Sequence, residues 1–215
     1  MIKTNQELLS YLNKLFTSSV HQGQIRETTF RKGELLVMQD EPAGDLFILR
    51  SGVVKCFITE ENGRDYLLEF LGEGEIIGEL ELLMNKDNLG SVQALTVVEA
   101  FRIDKKSFAA FLSEDRILTQ YLLQELATRL SRTARRAAYQ QIFPLQYALL
   151  KVLYLFSENK QAISKQDLAD YLAISIRSLN RLLKQMGDQE PDFANSGGLF
   201  AIPKEKLLSL MQKYY

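Results

Sequence analysis

"ISKQDLADYLAISIRSLNRLLKQM", residues 163–186, decides how the chain is to be read. Two short apolar periodicities flank Ala173-Ile174, and a serine precedes each. Ser164 is placed to cap a first helix, with Asp167 three residues on as in a capping box; Ser175 is placed to cap a second. Leu168, Ala169, Leu172, Ile174, Leu179 and Leu182 are the positions two crossing helices must bury, and Ala169 is small enough to let them approach. The pattern is a helix-turn-helix, with Ala173 at a turn position that often carries glycine.

The second helix turns Ile176, Arg177, Asn180, Arg181 and Lys184 away from its Leu179–Leu182 face. Arginine can bridge O6 and N7 of guanine, asparagine N6 and N7 of adenine, and isoleucine can touch a thymine methyl. Expected base contacts are therefore Ser175, Ile176, Arg177, Ser178, Asn180 and Arg181. Ser164, Lys165 and Gln166, at the start of the first helix, and Lys184 are expected on phosphates. "PDFANSGGLFAI", residues 191–202, predicts a wing hairpin turning at Asn195–Gly198, followed by a last helix over Lys204–Tyr214.

Upstream the periodicity is different. From Thr28 to Asp104 short runs such as "DLFILR", "VVKCFITE" and "DYLLEFLG" alternate with turns, and Asn62-Gly63 is a hairpin signal. Strands at this close spacing predict a jelly roll or barrel. "KKSFAAFL" then reads as a short helix, and Ser113-Glu114-Asp115 as the cap and acidic first turn of a long one running to about Tyr139. Leu118, Leu122, Leu126 and Leu130, with Tyr121, form the apolar ladder of a dimerisation helix; part of the stripe could cover the barrel, and the rest would suit the same helix of a second subunit. Arg129, Arg132, Arg135 and Arg136 crowd its end, as solvated cations or facing DNA or an anion. Pro144 breaks the pattern. The predicted organisation is a sensor barrel over 1–113, a dimerisation helix and hinge over 114–141, and a winged helix-turn-helix over 142–215, α+β in class.

Charge divides the same way. Residues 1–113 hold 12 Lys and Arg against 17 Asp and Glu; 114–141 hold 5 against 3, and 142–215 hold 9 against 7. An acidic front and a basic back suggest two tasks. No export signal or membrane-length apolar run is present, so a cytoplasmic protein without membrane partners is expected. The single Cys56 excludes an internal disulfide and a four-cysteine metal or iron–sulfur site. A jelly roll can be a metal-dependent enzyme, but that needs a histidine cluster, and the one histidine, His21, precedes the barrel. No Walker loop or nucleophile–base pair stands out. The chain reads as no enzyme, with no required cofactor or metal.

A strand barrel, a long helix and a helix-turn-helix, in that order, resemble the Crp/Fnr family of bacterial transcription regulators. The resemblance is carried by "KGELLVMQDEPAGDLFILRSGVVK", "GEGEIIGELELL" and "ISKQDLADYLAISIRSLNRLLKQ". It implies a cyclic-nucleotide-binding-like barrel, a homodimer and a palindromic double-stranded DNA operator, with RNA polymerase as a further partner of an activator. It also implies an effector pocket at Gly78, Glu79, Leu80, Leu89 and Gly90, joined from the long helix by Arg129 and Thr133. Gly78-Glu79 matches the family's Gly-Glu pair, and Glu79 would contact a ribose. The Arg-Ser pair that grips the phosphate is Leu89-Gly90 here. An effector other than cyclic AMP, of unknown identity, is expected, and Arg129 is expected to pair with Glu79. Haem and iron–sulfur sensing lack their ligands. The recognition helix departs as well: the family's Ser-Arg-Glu-Thr-Val-x-Arg is Ser175-Ile176-Arg177-Ser178-Leu179-Asn180-Arg181, so the operator should differ. The alternative reading is a cyclic-nucleotide-binding signalling module whose C-terminal domain contacts protein.

Overall fold

The structure, a computed structural model, describes residues 4–17, 23–157, 163–190, 193 and 201–214. His21 and the wing turn at Asn195–Gly198 lie outside the described residues. The described chain divides into two compact units, one of residues up to Gly63 and Leu68–Thr128, the other of Arg64–Leu67 and the chain from Arg129 onward. The division therefore falls within the long helix, upstream of the break at Pro144.

The first unit begins with helix α1 (Gln6–Thr17) and continues through β1 (Ile25–Phe30), β2 (Leu35–Val37), β3 (Asp45–Ser51), β4 (Val54–Thr59), the part of β5 (Asp65–Leu71) from Leu68 onward, β6 (Ile76–Ile77), helix α2 (Glu79–Met84), β7 (Ser91–Ala94), β8 (Val98–Asp104) and helix α3 (Lys105–Glu114); the first residues of β5, Asp65–Leu67, count with the second unit. The strands form two four-stranded sheets, ordered β1-β8-β3-β6 and β2-β7-β4-β5. In the first sheet β1 and β3 run antiparallel to β8, with Ile25 opposite Ile103 and Ile48 opposite Phe101.

β3 and β8 each send side chains into two cores, one on either face, and β3 accordingly carries the apolar run Leu46–Leu49. Leu46 and Ile48 of β3, with Phe101 and Ile103 of β8, join a core that also holds Leu8 and Leu12 of α1 and Phe108 and Phe111 of α3. The alternate residues Phe47, Leu49, Val98 and Ala100 join a second core with Val54, Leu71 and Val92. The period of two thus feeds two cores from one strand. At the β4–β5 hairpin the Gly63 amide donates to the Glu60 carbonyl (2.8 Å), and Gly63 alone takes a positive φ, 73°. Asn62 keeps the ordinary sign, so the turn is longer than a two-residue one.

Asp104 caps α3 by accepting from the Ser107 amide (2.8 Å). Helix α4 spans Arg116–Ile142. Its cap is Asp115, whose carboxylate accepts from the amides of Ile117 and Leu118 (both 3.0 Å), whereas the Ser113 hydroxyl donates back to the Ala110 carbonyl.

The leucine ladder of α4 is not one stripe. Each step of four residues turns about 40° past a full revolution, so Leu118 and Leu130 end on different faces. Leu118 and Leu122 are 2 % and 3 % exposed, within the core of their own barrel, and Tyr121 and Leu126 lie against that core. Leu130 is 72 % exposed. Four of the five residues of the ladder are thus engaged within the chain, and the exposed seam is Gln120, Leu123, Ala127, Leu130, Ala134 and Ala137. Alternating steps of three and four keep these six on one face.

In the second unit follow α5 (Leu145–Phe156), α6 (Lys165–Tyr171), α7 (Ile176–Gln189) and α8 (Lys204–Gln212). α5 is apolar almost all round, buries Leu149, Leu150, Val152 and Leu153, and packs against α8.

Candidate nucleic-acid interface

α6 and α7 are held by the local signals of their sequence. Ser164 and Asp167 form a complete capping box: the Asp167 amide donates to the Ser164 hydroxyl oxygen (3.1 Å), and the Ser164 amide donates to the Asp167 carboxylate (2.9 Å). Ser175 caps α7 by accepting from the Ser178 amide (3.1 Å). Between them Ala173 sits at φ 55°, the left-handed region in which a Cβ is crowded. Leu168, Ala169, Leu172, Leu179 and Leu182 are buried, joined by Met186; Ile174 is half-buried.

The residues expected on bases share one outward face. Ile176, Arg177, Asn180, Arg181 and Ser175 are exposed and Ser178 is half-buried. Lys184 continues that face, and Lys165 is exposed at the start of α6. Two expected phosphate ligands are partly engaged. The Ser164 hydroxyl donates its only proton to Asp167 (2.6 Å), which leaves it none for a phosphate oxygen. The Gln166 amide donates to Asp170 (2.8 Å) and keeps one N–H.

The end of α6 is satisfied from outside the motif. The carbonyls of Leu168, Ala169 and Asp170 accept from the amides of Leu172, Ile174 and Ala173. The next, that of Tyr171, accepts from Arg136 Nη2 and from Gln140 Nε2 (3.1 Å). Arg136 is 8 % exposed. Its Nη1 donates to the Leu67 carbonyl (2.8 Å), and its guanidinium lies over the rings of Tyr171 (3.7 Å) and Tyr66 (5.0 Å). Beside it burial, then Tyr171, raises the Tyr139 hydroxyl above the ordinary tyrosine range. Arg132 and Arg135 are exposed, so of the helix-end arginines Arg136 is neither solvated nor open to an anion. Nothing in the spacing of four arginines singles it out; its partners lie 69 and 35 residues away.

The candidate effector segment lies in the first unit. Its glycines answer to close backbone approach. A Cβ would fall 1.8 Å from the Asn5 carbonyl oxygen at Gly74, 2.7 Å from that of Asp45 at Gly78, and 2.6 Å from that of Phe57 at Gly90. The loop after α2 is pinned: Asn88 donates through its amide group to the Met38 carbonyl (2.9 Å) and through its backbone to Glu41 (2.9 Å). Lys86 N donates to the Glu81 carbonyl and Leu89 N to the Glu81 carboxylate (3.3 Å). The backbone amides of Lys86, Asn88 and Leu89 are thus already donated to the chain's own oxygens. Glu79 is buried and Leu80 and Leu89 are exposed; Arg129 and Thr133 belong to the second unit.

Residues 27–115 match the model of the cyclic nucleotide-binding domain. The chain is 26% identical over 198 residues to a CRP-like cAMP-activated global transcriptional regulator of Mycobacterium tuberculosis, covering 86% of this chain and 85% of that one. It is 24% identical over 165 residues to the cAMP-activated global transcriptional regulator CRP of Escherichia coli O157:H7, over 72% of this chain and 79% of that one. In fold it is similar to a crp/fnr-family transcriptional regulator from Eubacterium rectale, with a TM-score of 0.76, 13% identity, and coverage of 96% and 99% of the two chains. Among the described residues no helix is long and apolar enough to cross a membrane.

Proposed function

We propose that this chain, which belongs to the Crp/Fnr family of transcription regulators, works as a dimeric, sequence-specific DNA-binding regulator whose effector is not cyclic AMP. The observation that carries the reading is the outward face of α7, where Ile176, Arg177, Asn180 and Arg181 stand exposed over the buried Leu179, Leu182 and Met186. A helix so mounted can enter the major groove and present its donors to base edges. Lys165 and Lys184 supply phosphate contacts; Ser164 serves the cap instead.

The seam of Gln120, Leu123, Ala127, Leu130, Ala134 and Ala137 supports pairing with a second copy in a parallel coiled coil. Two recognition helices would then read half-sites about 34 Å apart, and the modest positive charge of each DNA-binding segment would be doubled. The two relatives named above are cAMP-activated. Here the phosphate grip is replaced by Leu89-Gly90, and the neighbouring amides serve Glu81 and Glu41.

Selection of duplexes from a random pool tests the reading. One enriched palindrome is expected. Arg181→Ala should relax its choice at one base position in each half-site, costing ~1–3 kcal/mol there, while Lys165→Ala weakens all sequences alike. A pool that yields no enriched sequence overturns the proposal.

A further inference from the structure

Among the described residues the chain passes between its two units at three points: Gly63 to Arg64, Leu67 to Leu68, and Thr128 to Arg129. Whatever the barrel senses must reach the helix-turn-helix through the start of β5 or through the second half of α4, if it travels along the chain. One side chain holds both. Arg136 stands on α4, donates to the carbonyl of Leu67 in β5, and donates to the carbonyl of Tyr171, the last residue of α6. Its guanidinium also lies over Tyr66 of β5 and Tyr171 of α6.

We propose that Arg136 is the positioning residue of the helix-turn-helix, coupling the first residues of β5 to the C-terminal end of α6 and so to the turn that sets α7. The geometry asks for arginine specifically. Two carbonyls are met at once by a rigid, planar fork, and its flat face lies over two rings; an ammonium is a point donor and does neither in the same way. Tyr171 O is the helix-end carbonyl that the turn's own amides leave over, so the end of α6 depends on donors from α4. Three aromatic contacts enclose the same corner: Phe143 stacks on Tyr147 (4.3 Å), Tyr139 meets Tyr147 edge-on (6.4 Å), and Phe156 meets Tyr171 edge-on (6.0 Å). The inference rests on the DNA-binding reading only for its consequence; the coupling itself is a property of the folded chain.

The experiment is a double-variant cycle read by amide hydrogen exchange in the full chain. Tyr66→Leu, in a strand far from the turn in sequence, is expected to speed exchange at residues 171–175 several-fold. In an Arg136→Lys background the same substitution should add nothing, since residues sharing a hydrogen-bond network couple and unlinked ones add. Lys keeps the charge and removes the fork, so a purely structural need for a cation predicts wild-type behaviour, which would overturn the proposal. So would an unchanged turn in Tyr66→Leu, or an equal response with and without Arg136. If Arg136→Lys does not fold, Gln140→Ala, which removes the second donor to Tyr171, replaces it; exchange at 171–175 unaltered there refutes the dependence of α6 on α4. With the selected duplex, Arg136→Lys should bind about tenfold more weakly, the size of one coupled contact. Exchange still decides the coupling should no duplex be selected.

Discussion

Replacing Gly90 by serine, which restores half of the family's phosphate pair, is expected to destabilise the barrel without creating a nucleotide site. The new Cβ would stand 2.6 Å from the Phe57 carbonyl oxygen and 3.3 Å from both the Phe57 carbonyl carbon and Ile58 Cγ1. Two of these atoms are strand backbone in β4, paired with β7 through Phe57 opposite Ser91, so neither can step aside cheaply. Overpacking of this kind costs ~1–3 kcal/mol, and in a domain of this size each kcal/mol moves the midpoint by roughly 2–4 °C. Thermal unfolding followed by circular dichroism should therefore show a fall of ~2–12 °C. Leu89→Arg, at a side chain 51 % exposed, should leave the midpoint alone. The double variant carries Arg-Ser again, yet calorimetric titration with cyclic AMP should show no heat of binding, because Leu89 N still serves Glu81 and Asn88 still pins the loop. Sub-millimolar binding by the double variant together with an unshifted midpoint would refute the reasoning.

Ala173→Gly should raise stability by ~0.5–1 kcal/mol in urea titration, because removing a Cβ from φ 55° relieves more strain than glycine adds in unfolded-state entropy. Asp104→Ala should cost ~1 kcal/mol at neutral pH through the lost cap of α3. The hydrogen bond from the Ser107 amide holds the Asp104 carboxyl below its usual value of 3.8, so that stability is full above 3.8 and fades as the pH falls through the lower folded value; wild type and variant should converge there. Leu130→Glu should convert a dimer to a monomer in sedimentation while the chain stays folded, whereas Leu118→Ala, in the barrel core, should cost ~2–5 kcal/mol of folding stability.

Features legible in the sequence were those decided within a few residues. The capping box at Ser164, the cap at Ser175 and the buried set around Leu179 follow from spacings of three and four, and each stands as read. The strands of the barrel follow from alternation. Features that needed the fold were decided by partners distant in the chain. The drift of a four-residue ladder can be read from spacing and separates Leu118 from Leu130, but which end of the ladder meets the barrel is decided by what lies opposite. Likewise Arg136 differs from Arg132 and Arg135 only because Leu67 and Tyr171 come to meet it. Leu89-Gly90 can be read from the sequence, but the nearness of the Phe57 carbonyl to Gly90 comes from the fold alone.

The two cores fed by β3 and β8 set the limits of an excised barrel. The segment recognised as a cyclic nucleotide-binding domain, residues 27–115, contains both strands but neither α1 nor the α4 residues Leu118 and Leu122. Cut out at those limits, it would keep Phe108 and Phe111 of α3 over Leu46, Ile48, Phe101 and Ile103 but lose Leu8, Leu12, Leu118 and Leu122, leaving that apolar face partly uncovered. The stretch that matches the domain model and the stretch that covers its own core are therefore different lengths of chain. An excised barrel must begin before α1 and run past Leu122 to keep that face covered.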